Sequence, residues 1–197
     1  MACNVEYLKE VVMSYTGRKV LLLNSEIKAE TYRSKKVFGE YTLFVNPTTH
    51  KGVDIMYGIA KSMANKKFLV AGETDLIGKN IYNKLVNLPN VTALPKLEDM
   101  RKAYKRAYLL VNCSRCYEGF GRTPAEAMVN GIPSVVSGIG GLPEVIGNSG
   151  DVVKDINNIK EWVKKIKKYD NKNYYLKKSK LCNKRFKIYT KELEEQY

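Results

Sequence analysis

Two glutamates eight residues apart flank a glycine-containing turn in the segment Glu118-Gly-Phe-Gly-Arg-Thr-Pro-Ala-Glu126. Within it, Thr123, Pro124 and Glu126 match a helix capping box, with Thr as N-cap, Pro at the first helical position and Glu at the third. A helix that begins there points its free N–H groups at the preceding turn, and such a site binds phosphate. Gly121 lets the backbone approach a ligand closely. Capping alone would also explain Glu126, and a tight turn would also explain Gly121.

A second glycine-rich stretch is Ser137-Gly-Ile-Gly-Gly-Leu-Pro-Glu144, which contains Gly140 and Gly141. It is either an anion-binding loop or a tight turn. It does not qualify as a dinucleotide fingerprint, because that pattern opens the first strand–helix turn of a sheet and this stretch follows the fifth predicted strand.

Lys51 lies in the stretch Thr48-Thr-His-Lys-Gly52, between the first predicted strand and helix of the sheet. Its ammonium is placed to pair with a phosphate, and an ordinary loop lysine is the other interpretation. Gly72–Asn80 fails as a phosphate-binding loop, because its glycines are one residue too far apart and Asn80 replaces the metal-binding Ser or Thr.

Metal chemistry is not expected. The sequence has no Asp-x-Asp pair to hold a divalent cation on a sugar diphosphate. Cys113 and Cys116 form a single C-x-x-C motif, and His50 is the only histidine, so the four ligands of a structural zinc site are not recognisable. A redox pair lacks its usual context, since the motif does not open a helix directly. Free thiols, which suit a reducing compartment, are the expected state.

Apolar runs alternate with helical patterns from about residue 41. The predicted strands are Tyr41–Val45, Lys67–Ala71, Asn90–Leu94, Tyr108–Cys113, Pro133–Ser137 and Asp151–Val153, and the predicted helices are Gly52–Ala64, Thr74–Leu85, Leu97–Ala107, Thr123–Asn130 and Leu142–Ile146. This alternation predicts an α/β fold, a Rossmann-like parallel sheet with helices on both faces. Ligands of such sheets bind beyond the carboxyl ends of the strands, where the segments above lie.

Residues 156–197 predict two basic helices. Each has an apolar stripe at helical spacing, which is typical of a packing face; the stripes are Ile156, Ile159, Val163 and Ile166, then Cys182, Phe186, Tyr189 and Leu193.

The net charge of +14 is uneven, since residues 154–197 alone carry 14 Lys and Arg against 6 Asp and Glu. A basic face attracts phosphates, nucleic acid or anionic lipid, and a solvated lysine-rich surface is the plainer interpretation. Nucleic acid is not an expected partner, because no recognised nucleic-acid motif is present. The sequence has neither a signal peptide nor an apolar run of membrane-spanning length. We therefore expect a cytoplasmic protein, with peripheral contact to a membrane left open.

Residues 41–153 resemble the C-terminal, donor-binding domain of glycosyltransferase family 4 enzymes, which have the GT-B fold. Six segments carry the resemblance in the same order and spacing, and they are Phe44-Val-Asn with His-Lys-Gly-Val-Asp54, Leu69–Gly72, Asn90–Pro95, Glu118–Met128, Asn130–Pro133 and Gly140–Glu144. The resemblance implies one Rossmann-like half of a GT-B enzyme that binds a nucleotide-diphosphate sugar and transfers the sugar with retention of anomeric configuration, without a metal or other cofactor.

The resemblance also implies individual roles. Glu118 is expected near the transferred sugar, Glu126 is expected to accept hydrogen bonds from the ribose hydroxyls, and Lys51 is expected to neutralise the diphosphate. The other expected contacts with the nucleotide-sugar are the backbone around Phe120, Gly121 and Arg122, then Thr123, Gly140 and Gly141, and Pro95 in the loop that meets the base.

Two departures from the family pattern limit these expectations. The family's Gly-Arg pair after the first strand is replaced by Asn46-Pro47, so the arginine that contacts the diphosphate is missing and Arg122 is the expected substitute. The acceptor-binding N-terminal domain is also missing. Residues 1–40 resemble a remnant or hinge of that domain, with a helix at Val5–Tyr15 and a strand at Lys19–Asn24; residues 41–155 form the nucleotide-sugar domain, and residues 156–197 pack on it.

These departures leave a stand-alone half, a split enzyme or an expressed fragment as interpretations. The alternative function is a non-catalytic nucleotide-binding module that pairs with another chain supplying the acceptor domain. The acceptor itself, whether glycan, lipid or protein, is not identified by the sequence.

Overall fold

The computed structural model describes residues 2–23, 25–34 and 39–194, with side chains described up to residue 187 of the last helix. The N-terminal part has two short parallel strands, β1 (Ala2–Cys3) and β2 (Leu21–Leu22), which are joined by helix α1 (Glu6–Thr16). A single helical turn, α2 (Ala29–Tyr32), follows.

The rest of the chain forms a six-stranded parallel sheet with its crossover helices. In chain order the elements are β3 (Tyr41–Val45), α3 (Val53–Ser62), β4 (Phe68–Ala71), α4 (Lys79–Val86), β5 (Val91–Leu94), α5 (Arg101–Tyr104), β6 (Ala107–Asn112), α6 (Arg122–Val129), β7 (Ser134–Ser137), α7 (Leu142–Ile146), β8 (Asp151–Val153), α8 (Ile159–Lys167) and α9 (Lys172–Glu194). The strand order is β5-β4-β3-β6-β7-β8. The order reverses at β3, so a crevice opens between the carboxyl ends of β3 and β6.

The core has two layers because successive strand residues face opposite sides of the sheet. Phe44, Phe68 and Val111 pack with the residues of α3 and α8 on one side. Leu43 and Leu110 belong to the cluster on the other side, with α5 and α6. The predicted α/β class is confirmed, and the six strands begin and end within one residue of their predicted bounds.

Two predicted helices are shorter than expected. The helix predicted from Thr74 begins only at Lys79, because the Asp75 carboxylate accepts hydrogen bonds from the backbone N–H groups of Thr49 and Gly78 and fixes a turn there. In the predicted helix Leu97–Ala107 only Arg101–Tyr104 is α-helical, and Ala107 is the first residue of β6.

The predicted C-terminal helices both bury apolar side chains. In α8 these are Trp162 and Ile166, which pack against the layer of α3, and in α9 they are Cys182 and Phe186, which join the cluster of α6. Tyr189 and Leu193 of the second predicted stripe lie outside the described side chains. Among the residues that the structure describes, no helix is both long and apolar enough to cross a membrane.

Asp151 ties these helices to the sheet. Its carboxylate, 8% exposed, accepts hydrogen bonds from Tyr169 at 2.8 Å, Tyr174 at 2.6 Å and Lys168 at 2.9 Å. Burial by itself would raise the pKa of Asp151, but these hydrogen bonds outweigh it and lower the pKa. The residue therefore stabilises the packing of α9 as a carboxylate.

Candidate functional site

The loops that follow β3 and β6 are packed tightly against each other at the switch point of the sheet. The backbone N–H of Arg115 donates to the carbonyl of His50 at 2.8 Å, and the Cys113 thiol donates to the carbonyl of Gly52 at 3.3 Å. Gly52 has a φ of 78°, and a Cβ there would lie 2.2 Å from the Cys113 carbonyl oxygen. Only glycine fits, and the close contact holds the neighbouring Lys51 at the mouth of the crevice.

Lys51 and Glu118 form an ion pair across this crevice. Lys51 Nζ lies 2.8 Å from Glu118 Oε1, and their side chains are 25% and 12% exposed. The Asn112 amide, at the end of β6, donates to the same oxygen at 3.4 Å. The pair is sheltered but open to solvent, so an incoming phosphate can compete with the carboxylate for the ammonium.

The glycine-rich turn after β7 packs against the backbone of Glu118. The backbone N–H of Gly141 donates to the Glu118 carbonyl at 2.8 Å. A Cβ on Gly140 would lie 2.5 Å from the same carbonyl oxygen, and a Cβ on Gly141 would lie 2.0 Å from that of Gly119. Backbone packing is thus a sufficient reason for both glycines. Their expected contact with the nucleotide-sugar stays a prediction.

The predicted capping box at the start of α6 is wrong. Gly121, with a φ of 68°, is the N-cap, and helix α6 already begins at Arg122, so Thr123 is its second residue. No side chain caps this helix terminus. The left-handed conformation of Gly121 turns the chain into the helix two residues early, and Glu126 consequently has no capping role.

Glu126 is instead held by a buried tyrosine. The Tyr104 hydroxyl donates to Glu126 Oε2 at 2.7 Å, and Arg122 Nε lies 3.7 Å from Oε1. Arg122 also donates to the hydroxyl of Tyr32 at 3.1 Å. Burial raises the pKa of Glu126, against the opposing influence of Tyr104, Arg122 and Tyr32. Burial and the adjacent carboxylate likewise raise the pKa of Tyr104 well above its ordinary value, so the phenol stays a donor.

The remaining predicted residues fall into different environments. The Phe120 side chain is 3% exposed in a core cluster with Val5 and Met128, which leaves only its backbone for a ligand. Thr123 is half-buried near the start of α6. Pro95 is exposed after β5, the edge strand, and β4 separates that strand from β3. The structure thus joins Lys51 with Glu118, while Pro95 stands apart from them.

Three polar residues of the site were not predicted from the sequence. Asn112 ends an apolar strand, and a polar residue at that position was a usable signal. Tyr104 lies within the predicted helix Leu97–Ala107 with no functional role assigned to it, and Tyr32 lies in residues 1–40 outside the helix and strand predicted there. Nothing in their local sequence indicates that both lie beside Arg122 and Glu126.

The described part of the chain contains no group of three or more His, Cys, Asp or Glu side chains that could hold a metal ion. The expectation of a metal-independent reaction is not tested by this finding and stays a prediction.

A cavity of about 390 Å³ lies at the amino ends of the strands, opposite the crevice. Gly39, Ala107 and Ile132, which precede or begin strands, border it. Ser34 also lines it, and residues 35–38, between Ser34 and Gly39 in the sequence, are outside the described ranges. None of its described lining residues belongs to the Lys51–Glu118 crevice.

Comparison with known structures shows the same fold in glycosyltransferases. A glycosyltransferase from Rickettsia africae superposes with a TM-score of 0.79 at 15% identity over 94% of this chain. Sucrose-phosphate synthase from Thermosynechococcus elongatus gives 0.79 at 18% identity over 95%, and Anabaena HepE in complex with UDP and glucose gives 0.78 at 16% identity over 95%. The chain spans 57%, 53% and 57% of these three structures.

No curated protein sequence matches the chain. The sequence profile of the family described as Glycosyl transferases group 1 matches residues 35–170. These residues are more than two thirds of the chain, and they include the whole parallel sheet with the Lys51–Glu118 crevice. Together with the expected GT-B half-fold, this match shows that the chain belongs to the glycosyl transferases group 1 family.

Proposed function

We propose that this chain is the donor-binding part of a retaining glycosyltransferase and binds a nucleotide-diphosphate sugar in the crevice between the ends of β3 and β6. The Lys51–Glu118 pair carries the proposal: a cation and a carboxylate meet at 2.8 Å where the strand order reverses. Doubly wound sheets bind their ligands at that place.

The proposed chemistry follows from the charges there. Lys51 leaves Glu118 for the diphosphate and stabilises the negative charge that grows on it as the glycosidic bond breaks. In this proposal the sugar passes through an oxocarbenium-like state beside Glu118. The acceptor hydroxyl attacks the anomeric carbon from the face that the diphosphate leaves and gives its proton to the leaving phosphate, so the configuration is retained. This attack requires no protein nucleophile and, in this proposal, no metal.

Uracil is the first base to test, because Anabaena HepE was solved in complex with UDP and with UDP-glucose. Binding of UDP, UDP-glucose, ADP and GDP is to be measured by isothermal titration calorimetry, with and without EDTA. We expect binding of at least one nucleoside diphosphate, unchanged by EDTA. Absence of binding for all four would contradict the proposed function, and loss of binding in EDTA would contradict metal independence alone.

The alternative function, a non-catalytic module that pairs with another chain, has one observation in its favour. The first 23 residues expose several large apolar side chains, among them Tyr15 (87%), Leu21 (63%) and Leu23 (42%). Such a set on one short segment is typical of an interaction surface. We propose that it contacts the acceptor-binding half of the enzyme. Co-purification of a chain that carries this half, and its loss on Leu21→Lys, would support the contact. Hydrolysis of the donor by this chain alone would argue against a purely non-catalytic module.

A further inference from the structure

Tyr104 and Glu126 form a buried hydrogen-bonded pair between α5 and α6. The Tyr104 residue is 1% exposed and Glu126 is 8% exposed, and the hydroxyl donates to Oε2 at 2.7 Å. A buried carboxylate is costly unless it is paired and hydrogen-bonded. A protein that needed only packing here would hold an apolar side chain more favourably, so the pair calls for an explanation.

The geometry leaves acceptor positions of the carboxylate open. Oε2 is engaged by Tyr104, the Tyr32 side chain also hydrogen-bonds to the carboxylate, and Oε1 faces Arg122 Nε at 3.7 Å, beyond hydrogen-bond distance. A carboxylate has about four acceptor positions on its two oxygens. The Glu126 side chain keeps 11% of its surface exposed, beside an Arg122 side chain that is 55% exposed. Acceptor positions therefore remain on a carboxylate whose orientation is fixed.

We propose that Tyr104 is a positioning residue: its hydroxyl orients the Glu126 carboxylate so that the free acceptor positions receive the ribose hydroxyls, and the site thereby selects ribonucleotides over nucleotides that lack these hydroxyls. The inference rests on the proposed function and on the ribose contact that the family resemblance implies for Glu126. Tyr104 does not touch the nucleotide itself.

Loss of the hydroxyl has two consequences for Glu126. The carboxylate loses one of the two phenol hydrogen bonds that hold its orientation. Burial raises the pKa of Glu126 while the hydrogen bond of Tyr104 opposes this rise, so without the bond the neutral acid is favoured further. Tyr32 from α2 and Arg122 from α6 also face the carboxylate, and both remain in the variant. Both consequences weaken acceptance of a hydroxyl donor and leave the phosphate site at Lys51 unchanged.

The test compares UDP with 2′,3′-dideoxyuridine diphosphate, which lacks both ribose hydroxyls. We expect the wild type to prefer UDP. Tyr104→Phe should weaken UDP binding about tenfold and change binding of the dideoxy compound by less than about twofold, so that the preference is largely lost. The loss should be smaller at higher pH, where the carboxyl is ionised. Glu126→Gln should lose the same preference, and the double variant should lose no more than Glu126→Gln alone.

Tyr169→Phe is the matched control, because Tyr169 is also buried and its hydroxyl also donates to a buried carboxylate, that of Asp151. It should lower the melting temperature and keep the preference for UDP. If the wild type discriminates and Tyr104→Phe discriminates equally, or weakens both ligands alike, the positioning role is wrong while the proposed function stands. If the wild type binds no nucleoside diphosphate, or binds both compounds equally, the assignment of Glu126 to the ribose fails and the inference fails with it.

Discussion

Lys51 Nζ lies 2.8 Å from Glu118 Oε1, and this pair joins the loops after β3 and β6 at the switch point of the sheet. The two residues are far apart in sequence, and each belongs to a loop whose backbone is fixed by contacts with glycine. The ammonium is therefore placed for an anion before any ligand arrives, which reduces the cost of organising the site.

Removal of the ammonium should weaken nucleoside diphosphate binding selectively. We expect Lys51→Ala to weaken UDP binding about 10- to 100-fold, because a hydrogen bond to a charged group contributes about 1.5–3 kcal/mol. Lys84→Ala, at an exposed position of α4, should have almost no effect. Calorimetry at low and at high salt measures UDP binding by both variants. Equal effects of the two would show that the Lys51 charge acts only through the overall electrostatic field of the protein.

Neutralisation of Glu118 should have the opposite effect on binding. Glu118→Gln removes the negative charge that competes for Lys51, so UDP should bind as tightly as in the wild type or a few-fold more tightly. Turnover of the nucleotide-sugar, measured with the acceptor-binding half supplied, should fall in the same variant. Weaker UDP binding in Glu118→Gln would mean that the carboxylate organises the phosphate site.

The contact between Gly52 and Cys113 should be essential for the fold of the crevice. Alanine at residue 52 would have a φ near 78° and a Cβ 2.2 Å from the Cys113 carbonyl oxygen. Gly17→Ala is the matched control, since Gly17 has a φ of 63° but nothing within 4 Å of its Cβ. The control should cost about 1 kcal/mol of unfolding free energy, and Gly52→Ala about 2 kcal/mol more. Urea unfolding measures the difference, and equal costs would show that the loops can separate freely.

The strands were predictable because each is a short apolar run ended by a turn residue or a polar residue, as at Ala71–Gly72. The start of α4 and the N-cap of α6 were not, because tertiary contacts and backbone conformation decide them. The Asp75 carboxylate accepts a hydrogen bond from Thr49 in another loop, and α4 therefore begins only at Lys79. The positive φ of Gly121 advances α6. Lys51 and Glu118 were both expected at the donor site, but the ion pair between them depends on the strand order, which the sequence around either residue does not contain.

Low pH should weaken the packing of the C-terminal helix, because Asp151 becomes protonated. Its folded-state pKa is lowered, so its contribution is fully present above the unfolded-state value of about 3.9 and is lost as the pH falls through the folded-state value. Asp151→Asn should lower the unfolding free energy by about 3 kcal/mol at pH 7 and by much less at low pH. Denaturant unfolding between pH 7 and pH 3 measures this. A constant difference over the range would show that ionisation of Asp151 does not contribute.

Glu126 should show the reverse dependence, because burial raises its pKa and the fold therefore disfavours the carboxylate. Glu126→Gln keeps the shape and the acceptor for Tyr104 but removes the buried charge. We expect the unliganded variant to be more stable at pH 7 by about 1 kcal/mol, or about 2–4 °C in melting temperature for a chain of this size. The gain should shrink as the pH falls, since the wild-type carboxyl then becomes neutral as well. UDP should raise the melting temperature of the wild type more than that of the variant. A variant that is less stable than the wild type at pH 7 would show that Glu126 is a structural residue. A more stable variant with a reduced response to UDP is the result expected of a residue that binds the ligand at a cost to the stability of the fold.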